Sequence, residues 1–296
     1  MNRIRASPGY DAGEALFVGS QILLRKIPSA RKKTGRWQGD TSCPAGLYFE
    51  NLHSTIAEVI MELTQMLNTL SAGRVLDVAT GHGGFAGYIL ENVKEFDELI
   101  GVDAVERYGE AFGQAFAGQP KASFRCMDAM QLDFPDASFD TVCMASSLHH
   151  LPDPARALRE MRRVLKPGGR CILTEMYSDN QSETQLTHVL LHHWWAAIDS
   201  ASGVVHHETF TRAGLVELLG GMRLAWQFAD ERDLESDPLE VEGIRRLDGI
   251  IDQYQSRAEA LPGAAALKQR GEELRVRLHA IGIHGATQLV AVGENS

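Results

Sequence analysis

The sequence predicts a doubly wound α/β fold, with a mostly parallel sheet and helices on both faces. Three observations predict it. Short apolar runs alternate with amphipathic segments from residue 74 to 176. A glycine-rich turn, Thr80-Gly81-His82-Gly83-Gly84, separates the first such run from the helix after it. Aspartates stand within or just beyond the first three runs, at Asp77, Asp103 and Asp128. Alternation of this kind requires right-handed crossovers, and ligands of such sheets lie beyond the carboxyl ends of the strands.

The elements follow in order. Ile56, Val59, Ile60, Leu63, Met66, Leu67 and Leu70 make one helical stripe over 53–70, with Ser71 to Gly73 as its stop. Strand 74–79 leads through the glycine turn into helix 84–94. Strand 98–103, helix 105–116, strand 123–127 and strand 139–145 come next. An amphipathic helix over 154–165 ends at Lys166-Pro167-Gly168-Gly169, and a strand over 170–176 resumes.

The glycine turn has a chemical meaning. Gly81 and Gly83 lack Cβ, so the chain turns tightly there and a ligand can lie against the backbone N–H groups. Asp103, 22 residues after Gly81, ends the second strand, where an acid accepts from ribose hydroxyls. Together these make a nucleoside-cofactor site. Gly81-x-Gly83-x-x-Ala86 also fits the dinucleotide fingerprint, so an NAD-dependent oxidoreductase is one reading. Asp77 argues otherwise, because a carboxylate inside the strand gains nothing from a pyrophosphate but suits a phosphate-free ligand with an ammonium group. Asp128, in Cys126-Met127-Asp128-Ala129, is placed to accept from an adenine amino group.

These motifs, with Ser138-Phe139-Asp140 and Leu148-His149-His150-Leu151-Pro152-Asp153-Pro154 after them, resemble the class I S-adenosylmethionine-dependent methyltransferases. The chain is similar in particular to their small-molecule branch, which includes the menaquinone and ubiquinone C-methyltransferases. The resemblance is strong over 73–176 and weaker over 207–293. It implies a Rossmann-like, seven-stranded sheet that continues with a helix at Thr211–Leu219 and an antiparallel pair at Arg223–Ala229 and Ala286–Val292. It implies S-adenosyl-L-methionine as cofactor, with Asp77, Ala79, Gly81 and Gly83 at its methionine part. Asp103 would hold the ribose and Asp128 with Ala129 the adenine, with Ala104 and Ser146 also at the cofactor site. Ala79 departs from the family pattern, which has glycine there, although alanine occurs in the quinone branch.

Two further segments interrupt that plan. Ser182 to Asp199 reads as a helix, and Pro238 to Ala280 as two, the first striped by Ile244, Leu247, Ile250, Ile251 and Tyr254. Both are read as helical cap insertions (179–206 and 231–283) in a methyltransferase domain over 46–296, with residues 1–45 a basic extension. A small-molecule acceptor would lie under this cap and take the methyl group by in-line displacement. His188, His192, Trp195 and Asp199 share one helical face there, followed by His206, His207 and Glu208. That face is either a lining over the acceptor or an ordinary amphipathic surface. The candidate catalytic residues are His149, His150, His192 and Tyr177, with Glu175 as a further proton acceptor. His188 and His192 have ligand spacing, and Asp199, His206 or Glu208 could complete a metal site, but no metal is assigned. Ala145-Ser146-Ser147 also lacks the acid that a magnesium-dependent relative would carry after the fourth strand.

Composition bounds the rest. No apolar run approaches the roughly 18–20 residues that span a bilayer. Cys43, Cys126, Cys143 and Cys171 lack ligand-like spacing; three of them fall in predicted core strands, so buried thiols in a reducing, cytoplasmic compartment are expected. Eight basic residues against Asp11 and Glu14 give residues 1–36 a charge of +6, which leaves −16 on the remainder of a chain with net charge −10. The basic arm raises an alternative, methylation of RNA or protein, and an Arg-rich start also resembles a transit segment. The acidic body with 7% aromatics argues against a broad nucleic-acid face. A cofactor-binding protein without chemistry is the remaining reading. The acceptor atom and the oligomeric state are not legible.

Overall fold

The structure is a computed structural model and describes residues 64–296. The basic extension, Cys43 and most of the expected first helix lie outside the described residues; residues 64–69 are helical. The elements are β1 (Arg74–Val78), α1 (Gly84–Asn92), β2 (Glu98–Asp103), α2 (Tyr108–Ala115), β3 (Ala122–Cys126), β4 (Phe139–Ala145) and α3 (Pro154–Val164). They continue with β5 (Leu165–Met176), α4 (Glu183–Ala201), α5 (Arg212–Gly220), β6 (Ala225–Glu231), α6 (Val241–Ala258), α7 (Ala264–Ile281) and β7 (Gln288–Glu294).

One seven-stranded sheet runs in the order β3-β2-β1-β4-β5-β7-β6. Its first five strands are parallel, and β7 lies antiparallel between β5 and β6. Central strands are apolar on both faces because helices cover both: Leu76 and Val78 face one cluster, Val75 the other. The order switches between β1 and β4, so the crevice of such a sheet opens at their carboxyl ends.

Local signals explain the borders. Asp153 caps α3 by accepting from Arg156 N at 2.9 Å, with Pro154 in the first turn. β5 departs from the expected 170–176. It begins at Leu165, because Leu165 already pairs with Phe139 before a register shift, and the Lys166-Pro-Gly-Gly segment runs inside the strand. Asn295 Nδ2 donates to the Leu165 and Lys166 carbonyls and holds that irregular stretch. Cys143 and Cys171 are buried as expected, but Cys126 is exposed. Its strand is the sheet's edge, so a residue in a core-like run faces outward there.

The two inserted segments form one helical unit. Ser182 and Gln185 make a capping box at the start of α4. Leu191, Trp194, Trp195 and Ile198 of α4 then pack with Ile244, Leu247, Ile250, Ile251 and Tyr254 of α6 and Leu274 and Leu278 of α7. Each such side chain contributes about 1.5–3 kcal/mol by leaving water. Trp194 Nε1 donates to the Leu267 carbonyl at 2.9 Å, and Gly271 lets α7 approach its ring. No helix among the described residues is long and apolar enough to cross a membrane.

Candidate functional site

The three aspartates singled out by sequence stand at the carboxyl ends of three adjacent strands. Asp77 on β1 is in register with Gly101 of β2; Asp103 ends β2 opposite Cys126 of β3, and Asp128 follows two residues later. Asp77 is buried, and its carboxylate accepts from the Thr80 hydroxyl at 2.5 Å and the Cys143 thiol at 3.4 Å. Burial pushes its pKa up to about 6. Asp103 accepts from Gly81 N at 3.0 Å and Val105 N at 2.9 Å, which ties the glycine turn to the end of β2; burial raises its pKa too. Each oxygen retains a lone pair for a further donor. Asp128 is exposed, accepts from Met130 N at 2.8 Å and precedes buried Ala129.

The two turn glycines differ in purpose. Gly83 has φ +86°, and a Cβ there would stand 2.5 Å from the Phe116 ring, so packing demands glycine. Gly81 has φ +51° with nothing within 4 Å of an added Cβ, so open space lies over it. Ala79 also takes a left-handed conformation, φ +55°, at a cost of about 1–2 kcal/mol for a residue with Cβ. Ser146, after β4, repeats this at φ +47°, and its N–H donates to the Thr174 carbonyl. Such strain gathers where the backbone is shaped for a ligand. A buried carboxyl with a raised pKa, an open glycine surface and a partly solvated acid at the next strand end fit an adenosyl amino acid.

A second cluster adjoins the end of β4. A 3-10 turn, Leu148–His150, carries two histidines; α4 supplies His192, and the loop after it His206. One ring nitrogen from each of the four lies within 4.8 Å of the others. His149 Nδ1 is 2.8 Å from Glu175 Oε1, and Glu175 also accepts from Leu148 N at 2.8 Å. His206 Nδ1 is 2.7 Å from Asp199 Oδ2, and Tyr254 and Arg257 hold that carboxylate from α6. The His192 and His206 Nε2 atoms are 3.3 Å apart. His207 N donates to the His149 carbonyl, which pins the loop to the turn. Burial, then the neighbouring histidines, hold His150 and His192 well below the usual imidazole pKa.

The structure sorts the other candidates. The α4 face is buried, so the ordinary amphipathic surface is excluded. His188 does not join the cluster. Its Nδ1 accepts from Ala286 N at 2.9 Å, and His192 faces His206 instead. Glu208 is exposed beside His193 at 3.9 Å. Tyr177 is buried, and burial raises its hydroxyl pKa. No spacing in the sequence joins His149 and His150 to His206; only the packing of α4 against the sheet end does.

Residues 76–173 match the family model described as a methyltransferase domain. A demethylmenaquinone methyltransferase of Deinococcus radiodurans is 43% identical over 106 residues, covering 36% of this chain and 44% of that protein. A 27-O-demethylrifamycin SV methyltransferase of Amycolatopsis mediterranei is 35% identical over 143 residues, covering 43% and 52%. The chain thus spans about half the length of these curated relatives. In fold it is similar to the YcgJ protein of Bacillus subtilis, with TM-score 0.54, 22% identity and coverage of 80% and 98%. It is also similar to the [4+2]-cyclase SpnF, with TM-score 0.52, 20% identity and 80% of each chain covered. With the strand-end acids, the glycine turn and the seven-stranded sheet in place, residues 76–173 are similar to the methyltransferase domains of the class I, S-adenosylmethionine-dependent type.

Proposed function

We propose that the chain transfers a methyl group from S-adenosylmethionine to a small molecule held between the sheet's carboxyl edge and the helical unit of α4, α6 and α7. The observation that carries this reading is the row of Asp77, Asp103 and Asp128 at three neighbouring strand ends, beside an open glycine turn. In this reading Asp77 pairs with the cofactor's ammonium group, Asp103 accepts from the ribose and Asp128 with Ala129 borders the adenine. Ala79, Gly81, Gly83, Ala104 and Ser146 supply the backbone surface. The bound cofactor supplies an electrophilic methyl group. The chain's part is to align the acceptor for in-line attack, which is worth roughly 7–11 kcal/mol, and to exclude water.

The helical unit acts as the cap over the acceptor. Its buried histidine and tryptophan face, next to the turn at His149 and His150, supports that role. These histidines are the candidate proton acceptors where a hydroxyl or carbon acid must lose a proton, a contribution of about 10²–10⁴-fold. Two relatives are named for demethylmenaquinone and 27-O-demethylrifamycin SV, which supports an organic acceptor of modest size. Buried thiols at Cys143 and Cys171 suit a reducing, cytoplasmic setting. A nicotinamide dinucleotide suits the site less well, since a buried acid under the turn opposes a pyrophosphate. The test is calorimetric titration of the full chain with S-adenosylhomocysteine and with NAD. Binding of the first alone is expected; binding of NAD alone, or of neither, removes the reading.

A further inference from the structure

We propose that His149, His150, His192 and His206 bind one divalent first-row transition metal ion, with zinc the natural occupant, and that the ion staples the helical unit to the end of β4. The proposal goes beyond the methyltransferase reading and stands without it. Four imidazoles are a donor set that suits zinc, copper, iron or nickel rather than magnesium or calcium.

The geometry supports it at three levels. First, the nitrogens already converge. Bonds of about 2.0–2.1 Å would set tetrahedral ligand nitrogens about 3.3–3.4 Å apart. The His192–His206 pair stands at 3.3 Å and all four lie within 4.8 Å, so modest side-chain movement closes the shell.

Second, the tautomers are fixed in the required sense. A carboxylate only accepts, so Glu175 makes His149 carry its proton on Nδ1, and Asp199 does the same for His206. Both Nε2 atoms therefore present lone pairs toward the cluster. A carboxylate behind a ligand histidine is the arrangement that orients and strengthens it in metal sites. Glu175 and Asp199 also balance the ion's charge from the second layer.

Third, the cluster contains a buried nitrogen that the protein does not satisfy. His150 Nε2 has no hydrogen-bond partner. Leaving such a group unmet is unfavourable, and an ion at the cluster would take its lone pair. His207 N donates to the His149 carbonyl at 2.8 Å, so the loop that carries His206 is held against the turn that carries His149 and His150. Two ligands come from the sheet end and two from the helical unit. An ion shared between them fixes the cap over the cleft. While the ion is bound its four histidines act as ligands, so proton acceptance by them belongs to the ion-free protein.

The test uses the full chain without an added histidine tag, stripped with a chelator and titrated with Zn²⁺ against a competing chromophoric chelator, and with Co²⁺ by absorption. One equivalent per chain is expected, with the intense visible bands of tetrahedral Co²⁺. His192→Gln and His206→Gln should each weaken binding at least about 100-fold, and Glu175→Gln about 10–100-fold. His193→Gln and His207→Gln, outside the cluster, should leave it within a few-fold. No stoichiometric binding, a weak octahedral Co²⁺ spectrum, or unchanged affinity in the cluster variants overturns the proposal. The wild-type spectrum decides the matter if a variant fails to fold. Binding of S-adenosylhomocysteine, measured separately, reports on the methyltransferase reading alone.

Discussion

Replacing Asp77 with asparagine should stabilise the ligand-free protein and weaken cofactor binding. Burial raises the Asp77 pKa from 3.8 to about 6. For an acid, a raised folded-state pKa means stability that is fully present below pH 3.8 and lost as pH climbs through 6. At pH 8 the ionised carboxylate therefore costs the free protein about 3 kcal/mol, at 1.36 kcal/mol per unit. Asparagine keeps an acceptor for the Thr80 hydroxyl and removes the buried charge. The free variant should melt several degrees above the wild type at pH 8, since about 1 kcal/mol moves the midpoint of a chain this size by about 2–4 °C. At pH 5 the gap should narrow, because wild-type Asp77 is then largely protonated. With S-adenosylhomocysteine the order reverses, because an unpartnered buried ammonium group costs about 3–5 kcal/mol, or at least about 100-fold in affinity. Wild-type affinity should also fall below pH 6, where a proton must leave Asp77 before the ligand binds. Thermal unfolding at both pH values, with and without ligand, combined with calorimetry, measures all of this. A free variant no more stable than wild type at pH 8, with unchanged ligand affinity, refutes the reasoning.

Other substitutions separate packing from binding. Gly83→Ala puts a Cβ 2.5 Å from the Phe116 ring, in a left-handed conformation, and should lower stability by about 1–3 kcal/mol in denaturant titrations. Gly81→Ala meets no atom, so its folding cost should stay near 1 kcal/mol while cofactor affinity falls more steeply. Equal effects of the two on ligand binding, after correction for stability, count against Gly81 as a ligand surface. Gly271→Ala brings a Cβ 2.6 Å from the Trp194 ring, which its bond to the Leu267 carbonyl holds in place. A loss of about 1–3 kcal/mol is expected, read from thermal unfolding by far-UV circular dichroism.

The sheet and its acids were legible in the sequence because each depends on a short stretch. An apolar run, a glycine turn and an acid at a strand end sit within a few residues of one another, and alternation of strand and helix leaves one arrangement for them. The helical unit was legible as helices for the same reason: the stripe from Ile244 to Tyr254 is local. Signals failed where a neighbour distant in sequence decides. Lys166-Pro-Gly-Gly reads as a break, yet Asn295 and the pairing of Leu165 with Phe139 make it part of β5. Cys126 reads as core, yet its strand has one neighbour only. By sequence His188 is the partner for His192 at ligand spacing, with His206 one of several residues that could join them. Ala286 N takes His188, and Asp199 turns His206 toward the cluster.

That last contrast bears on what the junction between sheet and helices is for. The sheet and the helical unit each bury a largely apolar core. An interface needed only to join them would be more stable if it were apolar, because buried ionic groups seldom repay their desolvation. The chain instead places Glu175, Asp199 and four histidines there, backed by Tyr254 and Arg257. It also leaves His150 Nε2, His192 Nδ1 and Trp195 Nε1 without hydrogen-bond partners, each at a cost of about 1–3 kcal/mol. Two of the four unmet buried side-chain atoms among the described residues thus belong to this histidine cluster, and a third lies beside it in the helical unit. Polar burial that folding alone does not reward, concentrated beside the end of β4, is the mark of a site selected for what it binds.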